Sequence, residues 1–290
     1  MEIESGKYLN LPAIMFVSLW ELFSFPENPC SQNPGKADSI TVRAVETTDS
    51  NWPNDFIMVK IKSTDDEAYQ NAYFYKTKSD KPQLLIVNIH SLTYDCQQFD
   101  SLPILSLQNN INFIHTDFRG PNKTKEACCS NLVISDTDAA IDCAIKNANV
   151  DTLRIYVIGQ SGGGYATLDA FMKLKHRIKK FSVWVPIPDQ AQWYDETRIR
   201  KLFYADNILV CTNSKGRKLN QEEAINSSTI YWKSPVEKLN YSNLEIFSGV
   251  YDELEWNGPI PITQSINFYD KLLTALKVRN RQNVFQKLKS

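Results

Sequence analysis

Five residues constrain this chain more than any others: Gly159-Gln160-Ser161-Gly162-Gly163, set between an apolar run, Arg154 to Ile158 (RIYVI), and an apolar stretch reaching about Leu174. A strand that becomes a helix within so short a span forces its central residue into a strained backbone conformation. Side chains two positions before and after it would collide, hence the glycines. The chain has only 10 glycines in 290 residues, and four of them fall between 159 and 164. The pattern predicts a buried strand, a tight turn and a helix, with the Ser161 hydroxyl lifted above the carboxyl edge of a sheet. There it sits at the positive end of the helix, and the Gly162 N–H points to where an oxyanion would form. The plainer alternative is a glycine-rich turn that binds a phosphate or nothing; the flanking elements and the extra Gly164 favour the strained elbow.

The rest of the chain alternates in the same manner. Phe56 to Lys62 and Ala72 to Thr77 read as early, half-exposed strands. Leu84 to Ile89 (LLIVNI) and Ile111 to His115 (INFIH) are compact apolar runs of the kind buried on both faces. Asp136 to Ala148 has helical spacing, Phe181 to Val185, Ile208 to Cys211 and Leu244 to Ser248 read as further strands, and Ile262 to Leu276 as a last helix. This predicts one α/β domain over residues 56–290, a mostly parallel central sheet with helices on both faces. Residues 26 to 55, rich in Pro, Asn, Ser and Asp, read as loop and turn.

With 32 Lys plus Arg against 33 Asp plus Glu, the charge gives no reason to expect nucleic acid or an anionic membrane as partner. Leu11 to Phe25 is apolar but contains Glu21 and follows Glu2 and Glu4, so residues 1–55 read as a degenerate signal or an extension packed on the body, without membrane insertion. The six cysteines form no Cys-x-x-Cys pair and have no histidine at zinc spacing, so neither a metal nor a cofactor is expected. Most read as small buried hydrophobes, with Cys128 or Cys129 as one half of a bridge in a secreted chain. Asn122, Asn226 and Asn240 head glycosylation-type triplets. Oligomeric state is not readable from the residues.

From about Leu84 to Leu273 the sequence resembles the prolyl-oligopeptidase-type serine hydrolases, a family of peptidases and acetyl-xylan-type esterases with an α/β-hydrolase fold. Four segments carry the likeness in order: Asp117-Phe118-Arg119-Gly120-Pro121-Asn122, Arg154 through Gly164, Val183 to Trp193 (VWVPIPDQAQW), and Tyr231 to Pro235 (YWKSP). The resemblance implies Ser161 as nucleophile and Asp252, just after the strand Leu244–Ser248, as the acid that orients an imidazole. It implies a second oxyanion donor from the loop His90 to Asp95, through the N–H of Ser91 or Leu92, with the Tyr94 hydroxyl beside it. Arg119 would anchor a polar group of the substrate or serve in a structural ion pair. The substrate would be a small molecule or a peptide, and the family suggests a secreted or periplasmic setting.

In this fold the base histidine follows the acid along the chain, yet His90, His115 and His176 all precede Asp252. The family's further strand and its Gly-Gly-His-Glu-like loop have no counterpart here, so the domain reads as truncated at its C-terminal end. A serine without a base is a poor nucleophile. Two readings follow: an active serine hydrolase whose base comes from an unusual position or a partner chain, with His90 the nearest substitute, or a catalytically impaired relative. A third, a sugar-binding module, draws on Trp184, Trp193, Tyr194, Trp232 and Trp256.

Overall fold

The computed structural model describes residues 43–45, 51–128, 130–249 and 258–287. Eight strands form one sheet: β1 (Arg43–Val45), β2 (Ile57–Lys62), β3 (Tyr69–Tyr75), β4 (Gln83–Ile89), β5 (Asn112–Thr116), β6 (Val150–Gln160), β7 (Lys180–Trp184) and β8 (Asn243–Phe247). Their spatial order is β1-β2-β3-β5-β4-β6-β7-β8. β1 to β3 and the β3–β5 pair run antiparallel, and from β5 to β8 every pairing is parallel. β4 and β5 are buried along nearly their whole length, which is what central parallel strands require and why their sequences do not alternate.

The order decides where a site can form. From β4 the chain steps to β5 on one side, through α1 (Leu102–Gln108). It then returns across β4 to β6 on the other side, through α2 (Asn131–Asn147). Right-handed crossovers in opposite directions put their helices on opposite faces and open a crevice between β4 and β6 at their carboxyl ends. On one face Leu85, Val87, Ile89, Ile114 and Val157 pack against Ile141 and Ala144 of α2 and against Leu168 and Phe171 of α3 (Gly162–Lys173). On the other face Trp52 stacks on Tyr73 at 4.3 Å and leans on Phe56 and Phe113. Between β7 and β8 stand α4 (Gln190–Ile199), α5 (Tyr204–Cys211) and α6 (Gln221–Asn226), a helical cap over its own core of Trp193, Tyr194, Ile208, Leu209 and Ala224. A last helix, α7 (Ile262–Lys287), adds Phe268 and Leu272 to the main core.

Several expectations are corrected. Ile208 to Cys211 is part of helix α5, with Ile208, Leu209 and Cys211 buried and Val210 53% exposed. Four apolar residues in a row cannot distinguish a strand from a buried helix turn. Helix α2 begins five residues ahead of Asp136, because the Ser130 hydroxyl accepts from the Leu132 and Val133 amides and caps it there. The sheet begins ahead of residue 56: β1 pairs with β2, and Trp52 is buried, so loop-like composition concealed a strand. Cys128 is bonded to Cys211, a bridge joining the approach to α2 with the cap. One half of a bridge at Cys128 or Cys129 is what the sequence led one to expect of a secreted chain; the partner, Cys211, is what it left unnamed. Asn122 is buried, donating to the Ala127 carbonyl, which removes it as a glycosylation acceptor. Of the proposed signal or packing segment, residues 1–55, residues 1–42 and 46–50 lie outside the described residues. No described helix is long and apolar enough to cross a membrane.

Candidate active site

Ser161 closes β6 and opens α3 with φ 58° and ψ −118°. That is a backbone conformation which costs a non-glycine residue about 1–3 kcal/mol and persists only when its surroundings enforce it. Three contacts enforce it. The Ser161 amide donates to the Trp184 carbonyl at the end of β7, 2.8 Å away. A Cβ on Gly159 would lie 2.2 Å from the Gly163 carbonyl, and one on Gly163 would lie 2.3 Å from that of Ile89. β4, β6 and α3 thus meet backbone to backbone, with no space for a relaxed turn. The next strand repeats the strain: Val185, just after β7, has φ 46°, and its amide donates to the Phe247 carbonyl at 2.7 Å. The elbow and the ends of β7 and β8 are therefore hydrogen-bonded in a row. Gly162 to Tyr165 are buried while Ser161 is half-exposed.

The loop after β4 faces this turn. The Ser91 hydroxyl donates to the Gln160 carbonyl at 2.8 Å. A Cβ on Gly162 would fall 2.3 Å from the Leu92 nitrogen, so the Leu92 amide stands directly against the start of α3. The Tyr94 amide donates to the Ser91 carbonyl at 3.1 Å, closing a tight turn in which Thr93 takes φ 72°. Of the two amides expected as oxyanion donors, Ser91 is already engaged: it donates to Gln98 Oε1 at 2.6 Å. Leu92 is the one beside the elbow. Gln98 could not have been identified from its sequence position. The Tyr94 ring is 56% exposed on the same turn.

Arg119 is held in an ion-pair network. Its guanidinium donates to both carboxyl oxygens of Asp136 and both of Asp66, and to Ser63 Oγ. Of the two roles expected for Arg119, these contacts fill the structural ion pair, and the Asp66 carboxyl is held at a pKa of about 2, chiefly by its hydrogen bond to Arg119. Asp252 lies outside the described residues, as does Trp256.

None of the three histidines hydrogen-bonds to Ser161. His90 is wholly buried, stacked on Phe118 at 4.2 Å, with Nδ1 3.0 Å from the Ser91 carbonyl and Nε2 4.0 Å from Asp117. Burial lowers its pKa to about 4, and burial raises that of Asp117 to about 6. His115 is equally buried, its pKa lowered to about 3 by desolvation. His176 is clamped: Nδ1 lies 2.6 Å from Asp138 and Nε2 2.9 Å from Asp142, both on α2. Burial opposes its charge, but the two carboxylates outweigh it and raise the pKa to about 9. Among the described residues no group of three His, Cys, Asp or Glu could hold a metal ion.

The aromatics considered for sugar stacking are occupied. Trp193 is buried and donates to Pro259 O, Trp184 stacks on Phe247, Tyr194 donates to Arg217 O, and Trp232 lies under the Lys173 ammonium.

The same sheet architecture is found in solved structures of known enzymes. The Pyrococcus horikoshii acylaminoacyl peptidase superposes with TM-score 0.60 at 16% identity, over 77% of this chain and 35% of that one. Prolyl oligopeptidase B from Galerina marginata, in a substrate-bound H698A form, gives 0.60 at 14% identity, over 77% and 32%. A Mycobacterium tuberculosis puromycin-hydrolyzing peptidase gives 0.57 at 15%, over 81% and 34%. The fold is that of the prolyl-oligopeptidase-type α/β-hydrolases. The chain spans about a third of the length of the structures it matches. No protein-family model and no curated protein matches it. The likeness therefore rests on architecture.

Proposed function

We propose that the chain is a serine hydrolase domain of the prolyl-oligopeptidase type, cleaving a peptide or ester bond through an acyl-enzyme on Ser161. The observation that carries the reading is the Ser161 backbone, φ 58° and ψ −118°, at the carboxyl edge of the sheet. The close packing of β4, β6 and α3 enforces this strain, and strain of this kind is kept where a side chain must project into a crevice. In the proposed reaction the Ser161 oxygen attacks the substrate carbonyl. The amides of Gly162 and Leu92 receive the oxyanion, and Asp252, in the segment after β8, acts as the acid that would orient the base. Oxyanion stabilisation by such fixed donors is worth about 10²–10³ in rate per donor. His90 and His176 are engaged elsewhere and His115 is wholly buried, so the reading takes its proton acceptor from beyond the described residues.

A fluorophosphonate probe tests the proposal. Labelling of the wild-type chain that disappears in Ser161→Ala is the expected result. Absence of labelling between pH 5 and pH 10 would leave the catalytically impaired reading standing. Comparing p-nitrophenyl acetate with aminoacyl p-nitroanilides would then separate esterase from peptidase activity.

A further inference from the structure

We propose that His90 is a positioning residue that locks the peptide between Ser91 and Leu92, and so aims the second oxyanion donor; the inference rests on the hydrolase reading of Ser161. The Ser91 carbonyl and the Leu92 N–H belong to one planar peptide unit and point in opposite directions. Whatever holds the carbonyl therefore sets the direction of the amide. Two donors hold it, the Tyr94 amide at 3.1 Å and the His90 ring: a carbonyl can only accept, so Nδ1 carries the proton and donates to Ser91 O across 3.0 Å. On the far side of the same unit, the Leu92 nitrogen lies against Gly162 at the head of α3. Rotation of this peptide would swing the amide away from the elbow and put a carbonyl oxygen in its place, which would repel an oxyanion.

The surroundings of the ring support a fixed role. It is entirely buried, stacked nearly parallel on Phe118 at 4.2 Å and flanked edge-on by His115. Nε2 is buried too, 4.0 Å from Asp117 Oδ1. A phenyl ring would fill the same slot without the cost of burying polar atoms. What the imidazole adds over a phenyl ring is the Nδ1–H, directed at one carbonyl. The same placement removes His90 as a substitute base: its protonated nitrogen is committed to Ser91, and the other is sealed beneath the loop.

Three variants test this: His90→Phe retains the stacking and loses the donor; His90→Asn places an amide N–H near the Nδ1 position; His90→Gln places one near Nε2. Two readouts are combined. In isotope-labelled protein, the Leu92 backbone amide resonance is expected to move in His90→Phe and His90→Gln and to stay close to wild type in His90→Asn. The rate constant of fluorophosphonate labelling is expected to fall about 100-fold in the first two, the effect of losing one oxyanion donor, and to recover to within about tenfold in His90→Asn. An unchanged Leu92 resonance in both His90→Phe and His90→Gln would overturn the inference, whether or not the protein reacts with the probe. Failure of the wild-type chain to label would count against the hydrolase reading instead, with the Leu92 resonance still deciding the role of His90. Should His90→Phe not fold, the contrast between the Asn and Gln variants carries the same decision.

Discussion

The Ser91 hydroxyl donates to the main-chain carbonyl of Gln160 at 2.8 Å, so the loop after β4 is tied to the residue immediately before the strained serine. The two segments are 69 residues apart in sequence and meet only because β4 and β6 are parallel neighbours. Ser91→Ala removes that tie. It is expected to cost about 1 kcal/mol in urea unfolding and to slow probe labelling about fivefold, measured on the same preparation.

Gly162 occupies the first turn of α3, where alanine is normally welcome. Here a methyl group would lie 2.3 Å from the Leu92 nitrogen and 2.7 Å from its Cα. Gly162→Ala is expected to push the oxyanion loop outward, with a loss of about 10²–10³ in labelling rate and about 1–3 kcal/mol in stability. Denaturant titration alongside labelling separates the two effects, and an unaltered labelling rate would show that the Leu92 amide plays no part.

The His176 clamp gives a pH dependence with a defined sign. Its pKa is about 9 in the fold, against about 6.5 in an unfolded chain. The folded state therefore holds the proton more tightly. The resulting stability is fully present below about pH 6.5 and is lost as pH rises through 9. The loss is expected to reach about 3 kcal/mol at most. Urea midpoints measured from pH 6 to pH 10 should fall for the wild type and flatten in His176→Gln.

The Cys128–Cys211 bridge closes a loop across 83 residues between the body and cap helix α5. Chain entropy alone assigns such a closure about 4–5 kcal/mol. The Lys125–Glu223 ion pair, 2.8 Å, joins the same loop to α6 but is exposed enough to add little. Cys211→Ser, or reduction with dithiothreitol, is expected to lower the urea midpoint. Because Leu92 packs into the cap core with Trp193 and Ile208, it should also slow labelling of Ser161. The Cys128→Ser, Cys211→Ser double variant should no longer respond to the reductant.

The central strands were legible because they are short apolar runs that only a doubly covered parallel sheet can bury, and each of Leu84–Ile89, Ile111–His115 and Arg154–Ile158 falls on a strand. The elbow was legible because its glycines answer a local steric demand. The Ile208–Cys211 segment was not: its helical state is set by the cap core it packs into. Gln98, which withdraws the Ser91 amide, and Asp66 and Asp136, which withdraw Arg119, act from distant positions in the chain. No spacing rule links such positions.

What the sequence determined by itself was local: a cramped turn, a set of buried strands and a serine that the turn must lift. Those follow from sterics and periodicity within a dozen residues. What only the tertiary structure decided was partnership. Leu92 rather than Ser91 faces the helix, His90 holds a peptide rather than a proton for Ser161, and Arg119 is locked between two carboxylates. Hydrogen-bond partners of this kind depend on which strands become neighbours, and strand order is fixed by the packing of the whole sheet.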